Sequence, residues 1–331
     1  MSRQMDVLLP SLTIAIPTYK RSFEFARLLR QVSTQILELP EPIQAKVSIV
    51  IHDNPSEASG HKHDIFRSLE FGRSLSRWVQ NEDNIGADAN INQAYASGLA
   101  TDYVWTIGDD EQLFPNAIKN ILHRLSASPE PALLILFGDE YPLKAEKLGD
   151  LCWPNYHAFA ADVVKVQPHV LIAHSLISLN VIKSSTYDPA LGQTDILFHS
   201  KRWGLPFCFS HMKAIVGGLS RDDASPIHIV LDPVIDCSVR SPSHVPEVET
   251  PKMHRLYAMH VFWLVHEFGL PLSAFYQDAL LAQCISPDAS SMLRVLIARG
   301  LRRPLKRVRS LFRLAGKTLF LGLHGRLVHK A

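Results

Sequence analysis

An open, mostly parallel α/β sheet flanked by helices is the fold class this sequence predicts, on three observations. Apolar runs alternate with stretches of helical period over roughly the first 140 residues. The runs are apolar at nearly every position, as in strands covered on both faces, instead of at every second one. Three of them end in polar clusters, Thr18-Tyr19-Lys20, Asp53-Asn54 and Asp109-Asp110-Glu111. Open parallel sheets bind ligands beyond the carboxyl ends of their strands, so these clusters mark a crevice.

LTIAIP (12–17) reads as a first buried strand closed by Pro17. SFEFARLLRQVSTQIL (22–37) then places Phe25, Leu28, Leu29, Val32 and Ile36 on one helical face. KVSIVIHDNPS (46–56) is a β-branched run ended by the turn residues Asp53, Asn54 and Pro55. A helix is expected next, followed by the short strand RWVQN (77–81), a helix over 87–99 and the strand DYVWTI (102–107). PNAIKNILHRL (115–125) reads as a helix with Pro115 at or near its first turn, and ALLILFG (132–138) as a fifth strand. Residues 139–170 look irregular, a loop over the site, and 169–182 return to strand-like composition. TDILFHSKRWGLPF (194–207) reads as a helix capped by Thr194 and ended at Gly204; 217–226 as a mobile loop; and 251–285 as mostly helical.

Composition sets the outer limits. The 331 residues are 47% hydrophobic and 20% charged, ordinary proportions for a globular enzyme. Cys152, Cys208, Cys237 and Cys284 are scattered with no Cys-x-x-Cys pair, which predicts neither a zinc site nor a disulfide framework and fits a reducing compartment. The opening MSRQMDVLLPSL is too short and mixed for a signal peptide, and no apolar run approaches the roughly 20 residues of a membrane helix. The net charge of +2 conceals an asymmetry. No acidic residue follows Asp288, while eleven basic residues do, so the rest of the chain is net acidic. In that tail Leu301, Leu305, Val308, Phe312 and Ala315 share a helical face, with Arg302, Lys306, Arg309 and Arg313 largely off it. A basic amphipathic helix of this kind suits an anionic membrane surface; the alternative is a tail folded onto the acidic body. Without interleaved stacking aromatics, nucleic acid is not an expected partner.

Three adjacent carboxylates repel one another unless water or a cation separates them. Beyond a strand end they can ligate a hard divalent cation whose other ligands are phosphate oxygens and water. The plainer alternative is a solvated loop that caps the next helix. Asp53, at the neighbouring strand end, is either an acceptor for a base or ribose or a turn residue. No Gly-x-Gly-x-x-Gly follows the first strand, which argues against a dinucleotide site.

TIAIPTYKR, VSIVIHDNPS, NEDNIGADANINQAYASG and DYVWTIGDDEQLFPNAI follow one another in an order that resembles family 2 glycosyltransferases of the GT-A fold. NIGADANI followed by YVWTIGDDE is similar to the branch containing abequosyltransferase-like enzymes of surface-polysaccharide assembly. The resemblance spans residues 11–140, weakens to TDILFHSKRWGLPF and fades after about residue 220. It implies that Thr18 lies against the nucleotide, that Asp53 reads the base, and that Asn84, Gly86 and Asn90 belong to the segment between base site and metal motif. It implies that Asp109 contacts ribose or the metal shell and that Asp110 ligates Mn²⁺ or Mg²⁺ at the diphosphate, with Glu111 beside it. Asp195 would be the catalytic base, although Thr194 stands where the family commonly has an acidic residue. His199, one turn further on, would ligate metal, contact the acceptor or rival Asp195 as base, the alternative being an ordinary helix-surface histidine. His174 and Ser175 suit either the acceptor side or the core, and Arg221, Asp222 and Asp223 a closing lid.

The resulting expectation is a GT-A catalytic domain over 1–240, a helical region over 241–290 and a basic amphipathic tail over 291–331. The resemblance implies a metal-dependent inverting transferase, hexosyl or deoxyhexosyl. It would move sugar from a nucleotide-diphosphate donor to a glycan or lipid-linked saccharide in cell-surface polysaccharide synthesis, such as lipopolysaccharide O-antigen. Its expected location is cytoplasmic, peripheral at the inner face of the membrane. The competing readings are a polyprenyl-phosphate sugar synthase, a catalytically silent nucleotide-sugar-binding module and a membrane-surface adaptor.

Overall fold

Eight strands are laid out in the order β3-β2-β1-β4-β7-β5-β8-β6 in a computed structural model of the chain. It describes residues 9–127, 129–138, 151–166, 177–193, 210–221, 224 and 226–236. The strands are β1 (Leu12–Thr18), β2 (Val47–Asp53), β3 (Leu75–Gln80), β4 (Tyr103–Thr106), β5 (Leu133–Gly138), β6 (Leu151–Trp153), β7 (Asn180–Lys183) and β8 (Ile227–Ile235). β1, β2, β3 and β4 run parallel, β7 enters antiparallel between β4 and β5, and β6 lies antiparallel on β8.

Strand period divides the core. Leu12, Ile14 and Ile16 of β1, with Val47, Ile49 and Ile51 of β2, join one buried cluster with Phe25, Leu28, Leu29, Val32 and Ile36 of α1 (Ser22–Leu37). Each such fully buried side chain contributes about 1.5–3 kcal/mol through removal of apolar surface from water. α1 packs against α3 (Ser59–Ser68) and α5 (Ala117–Leu125); α2 is the single turn Glu41–Gln44. The alternate positions, Thr13, Ala15 and Val104, turn away from that cluster, and α4 (Ala87–Ser97) packs on β1, β2 and β4 and against α7 (Ser210–Leu219). The close seat of α7 requires Gly218, where a Cβ would fall 1.6 Å from the Thr186 carbonyl oxygen.

The elements of the first 138 residues lie where the periodicity puts them, apart from the start of α5. Asn116 adopts a left-handed φ of 62°, so the helix begins after it and Pro115 stands outside. The stretch 139–170 is not wholly irregular: β6 and α6 (Tyr156–Val166) lie within it, and Trp153, Tyr156 and Phe159 pack together there. α7 and β8 were not expected. Gly217–Leu219, read as loop, end α7. The 194–207 helix, the 251–285 helices, the boundaries at 240 and 290, and the basic tail lie outside the described residues. Among the described residues no helix is long and apolar enough to cross a membrane.

Candidate active site

Because β1, β2 and β4 are parallel and adjacent, their carboxyl ends bring Thr18, Asp53 and the 108–111 turn to one edge of the sheet. Thr18 lies opposite Asp53 in register, on the face that carries α1 and α3. The Thr18 hydroxyl donates to Asp109 Oδ2 at 2.7 Å, and the Tyr19 N–H donates to the same oxygen at 3.3 Å. Burial pushes the Asp109 carboxyl up to about 6; Arg21 acts against this, Asp110 with it, and the Thr18 and Tyr19 hydrogen bonds against it.

Beneath these groups lies a charged pair that the sequence did not announce. Lys62 of α3 has no exposed surface, and its ammonium contacts Asp53 Oδ1 at 2.5 Å and the Thr18 hydroxyl oxygen at 3.2 Å. Asp53 is equally buried, and its Oδ2 has no hydrogen-bond partner among the described residues. A polar chain therefore runs Asp53–Lys62–Thr18–Asp109 through the floor of the crevice. Asp53 is thus placed under the site, with no surface open to a base in this conformation.

The second cation is Arg21. Its guanidinium is 3.2 Å from Asp109 Oδ1 and 2.7 Å from Asp110 Oδ2, bridging the two carboxylates. The loop that delivers it contains two successive non-glycine residues in the left-handed region, Lys20 at φ 60° and Arg21 at φ 30°. Side chains disfavour that conformation, so the ion pairs hold the loop against its local preference. Asp110 Oδ1 packs against Gly108, where a Cβ would approach it to 3.0 Å; the cradle exists because residue 108 has no side chain. Glu111 accepts a hydrogen bond from the Ser178 hydroxyl, whose oxygen accepts the Gly108 N–H at 3.0 Å. Burial raises the Glu111 carboxyl to about 7, with the Ser178 hydrogen bond opposing and Asp110 and Asp109 adding to the rise.

α1 holds the acidic turn from one side. Arg27 donates to the Asp110 carbonyl at 2.9 Å, Gln31 accepts from the Leu113 N–H at 3.0 Å, and Gln35 bonds both the Phe114 carbonyl and the Ile118 N–H. These residues recur every four positions, so they form one stripe along the helix.

Asn90 and Asn84 occupy a separate clamp. Asn81 donates to Asn54 Oδ1 at 2.9 Å and to Asn90 Oδ1 at 3.0 Å, Asn90 donates to the His52 carbonyl, and Asn54 donates to the Gly86 carbonyl. This joins the ends of β2 and β3 to the start of α4. Asn84 is exposed and closes a local turn onto the Gly86 N–H. Arg221 is paired with Asp188 at 2.7 Å. Asp195, His199, His174, Ser175, Asp222 and Asp223 lie outside the described residues.

Among the described residues no three His, Cys, Asp or Glu side chains are grouped to hold a metal. Both oxygens of Asp109 already accept hydrogen bonds or an ion pair. Asp110 is the more accessible of the two aspartates, its side chain 17% exposed against 6% for Asp109. That arrangement fits a divalent cation taken first by Asp110, its remaining positions filled by neighbouring side chains, phosphate oxygens and water.

Three solved structures share this arrangement of elements. The mannosyltransferase PcManGT from Pyrobaculum calidifontis, in complex with GDP-Man and Mn²⁺, is 13% identical and covers 94% of this chain and 87% of its own, at a TM-score of 0.52. S. aureus TarS 1-349 in complex with UDP-GlcNAc is 15% identical over 85% of this chain and 73% of that one, at 0.52. A second crystal structure of S. aureus TarS 1-349 is 12% identical over 85% of this chain and 72% of that one, at 0.51. The chain has the GT-A fold. No protein-family profile and no curated protein matches the sequence. In the GT-A sheet seen here, the Thr18–Asp109–Arg21–Asp110 cluster sits at the strand ends. Lys62, Arg21, Gln35 and Ser178 were not singled out from sequence. The polar stretch SGHKHD around Lys62 reads as solvent-facing and gives no hint that an ammonium is buried there.

Proposed function

We propose that the protein transfers a sugar from a nucleoside-diphosphate donor to an acceptor hydroxyl, with inversion at the anomeric carbon. The observation that carries this reading is the joining of Thr18, Asp109 and Asp110 at the ends of adjacent parallel strands of a GT-A sheet. Thr18 presents the β1 end to the nucleotide, and Asp53 with Lys62 fixes it from below. Asn84 and Asn90 shape the neighbouring wall through the β3–α4 connection. Asp110, with Glu111 and His199 as further donors, would hold Mn²⁺ or Mg²⁺. Such an ion supplies positive charge against the departing diphosphate.

Asp195 takes the proton of the acceptor hydroxyl as its oxygen bonds to the anomeric carbon, and the bond from that carbon to the diphosphate oxygen breaks on the opposite face. One displacement suffices, so no glycosyl-enzyme forms. The acceptor class is a glycan or lipid-linked saccharide of a surface polysaccharide, met at the inner face of the membrane through the basic tail.

The test is thermal unfolding against UDP-, GDP-, CDP- and dTDP-sugars, with and without Mn²⁺, for the wild type and Asp110→Ala. At 100 times its dissociation constant a ligand adds about 2.7 kcal/mol, a rise of roughly 4 °C for a chain of this length. One nucleotide class is expected to give a Mn²⁺-dependent rise that Asp110→Ala loses. A wild type that no nucleotide shifts, with or without metal, overturns the reading.

A further inference from the structure

Asp109 and Asp110 are not waiting as bare carboxylates: a guanidinium already bridges them, at 3.2 and 2.7 Å. Its side chain is 38% exposed, and it is carried on a loop with two left-handed non-glycine residues. A divalent cation approaching Asp110 would meet that positive charge at contact distance. Like charges at such separations repel strongly where water is partly excluded, so the two cannot share the Asp110 carboxylate. A guanidinium released there is still within one side-chain swing of any diphosphate at the strand ends, and its planar fork matches phosphate oxygens.

We propose that Arg21 is the resident counter-cation of the acidic pair, exchanged for a divalent cation at Asp110 when a nucleoside diphosphate arrives to receive the displaced guanidinium. Metal and diphosphate therefore bind as a unit, and metal alone binds weakly. The diphosphate half of this inference rests on the donor-site reading above; the metal half does not.

Mn²⁺ binding to the full chain is measured by the electron paramagnetic resonance signal of free Mn²⁺, without nucleotide, for wild type, Arg21→Met, Arg21→Lys and Arg21→Met with Asp110→Asn. Circular dichroism confirms that each variant is folded. Arg21→Met is expected to bind Mn²⁺ at least about tenfold more tightly than wild type, Arg21→Lys to fall between them, and the double variant to lose the gain. UDP and GDP are then added in turn. One of them is expected to tighten Mn²⁺ binding to wild type by about tenfold and to Arg21→Met by much less. If Arg21→Met binds Mn²⁺ no more tightly than wild type, or if the double variant keeps the gain, the counter-cation role is overturned whatever the nucleotides do. If Arg21→Met gains affinity and neither nucleotide alters either protein, the counter-cation role stands and the coupling to diphosphate falls.

Discussion

A lysine and an aspartate with no exposed surface make Lys62–Asp53 a costly pair to break and a cheap one to replace outright. Lys62→Met leaves Asp53 as a buried carboxylate without its cation and is expected to destabilise by about 3–5 kcal/mol in urea unfolding. Pairing it with Asp53→Leu removes both charges and should recover most of that loss. Glu111 offers a second test at this scale. Its folded carboxyl is raised to about 7 from 4.5, so between those values the folded state binds more protons than the unfolded one and stability falls as pH rises. His52 works the other way. Burial first, and Arg77 second, hold it to about 4 from 6.5, so its contribution is full above 6.5 and is lost as pH falls towards 4. The difference between Glu111→Gln and wild type isolates the carboxyl. The variant should gain about 2 kcal/mol relative to wild type between pH 4.5 and 8, discounted for partial exposure, by denaturant titration across pH.

At the scale of elements, the stripe Arg27, Gln31 and Gln35 makes α1 the clamp of the acidic turn. Gln35→Ala removes two hydrogen bonds and strands the buried Ile118 N–H, so it is expected to cost about 1–3 kcal/mol and to loosen amide-exchange protection over 110–118. The apolar face of α1 was legible because burial imposes a 3.6-residue period; the polar stripe was not, since its glutamines read as ordinary solvent-facing residues. Likewise β1, β2 and β4 were legible as continuous apolar runs with polar ends. Lys62 was hidden by lying in the polar stretch SGHKHD, where charge usually means solvent. Arg21 was hidden because its position depends on two left-handed residues that no periodicity marks. β6, α6, α7 and β8 escaped because Leu151–Trp153 is three residues long and the segments near 210–235 have Gly, Pro and charge breaking their patterns.

At the scale of the whole molecule, an acidic body and a basic terminal segment call for a test on the full chain. It should co-sediment with vesicles containing anionic lipid, lose this in high salt, and lose it when Arg302, Lys306, Arg309 and Arg313 are replaced by glutamine. Retained sedimentation in the glutamine variant would remove the tail from the reading. The sheet order has a further result, in the time domain of synthesis. β4 and β5 are consecutive strands, yet they do not pair; β7 lies between them. A ribosome that has delivered β5 has therefore produced two strand edges whose partner is still unmade, and the roughly 40 residues to Asn180 take about 2–8 s to add. For those seconds the nascent chain carries unpaired N–H and C=O rows of the kind that recruit other chains. The insertion of one late antiparallel strand places the aggregation hazard of those edges before folding is complete instead of after.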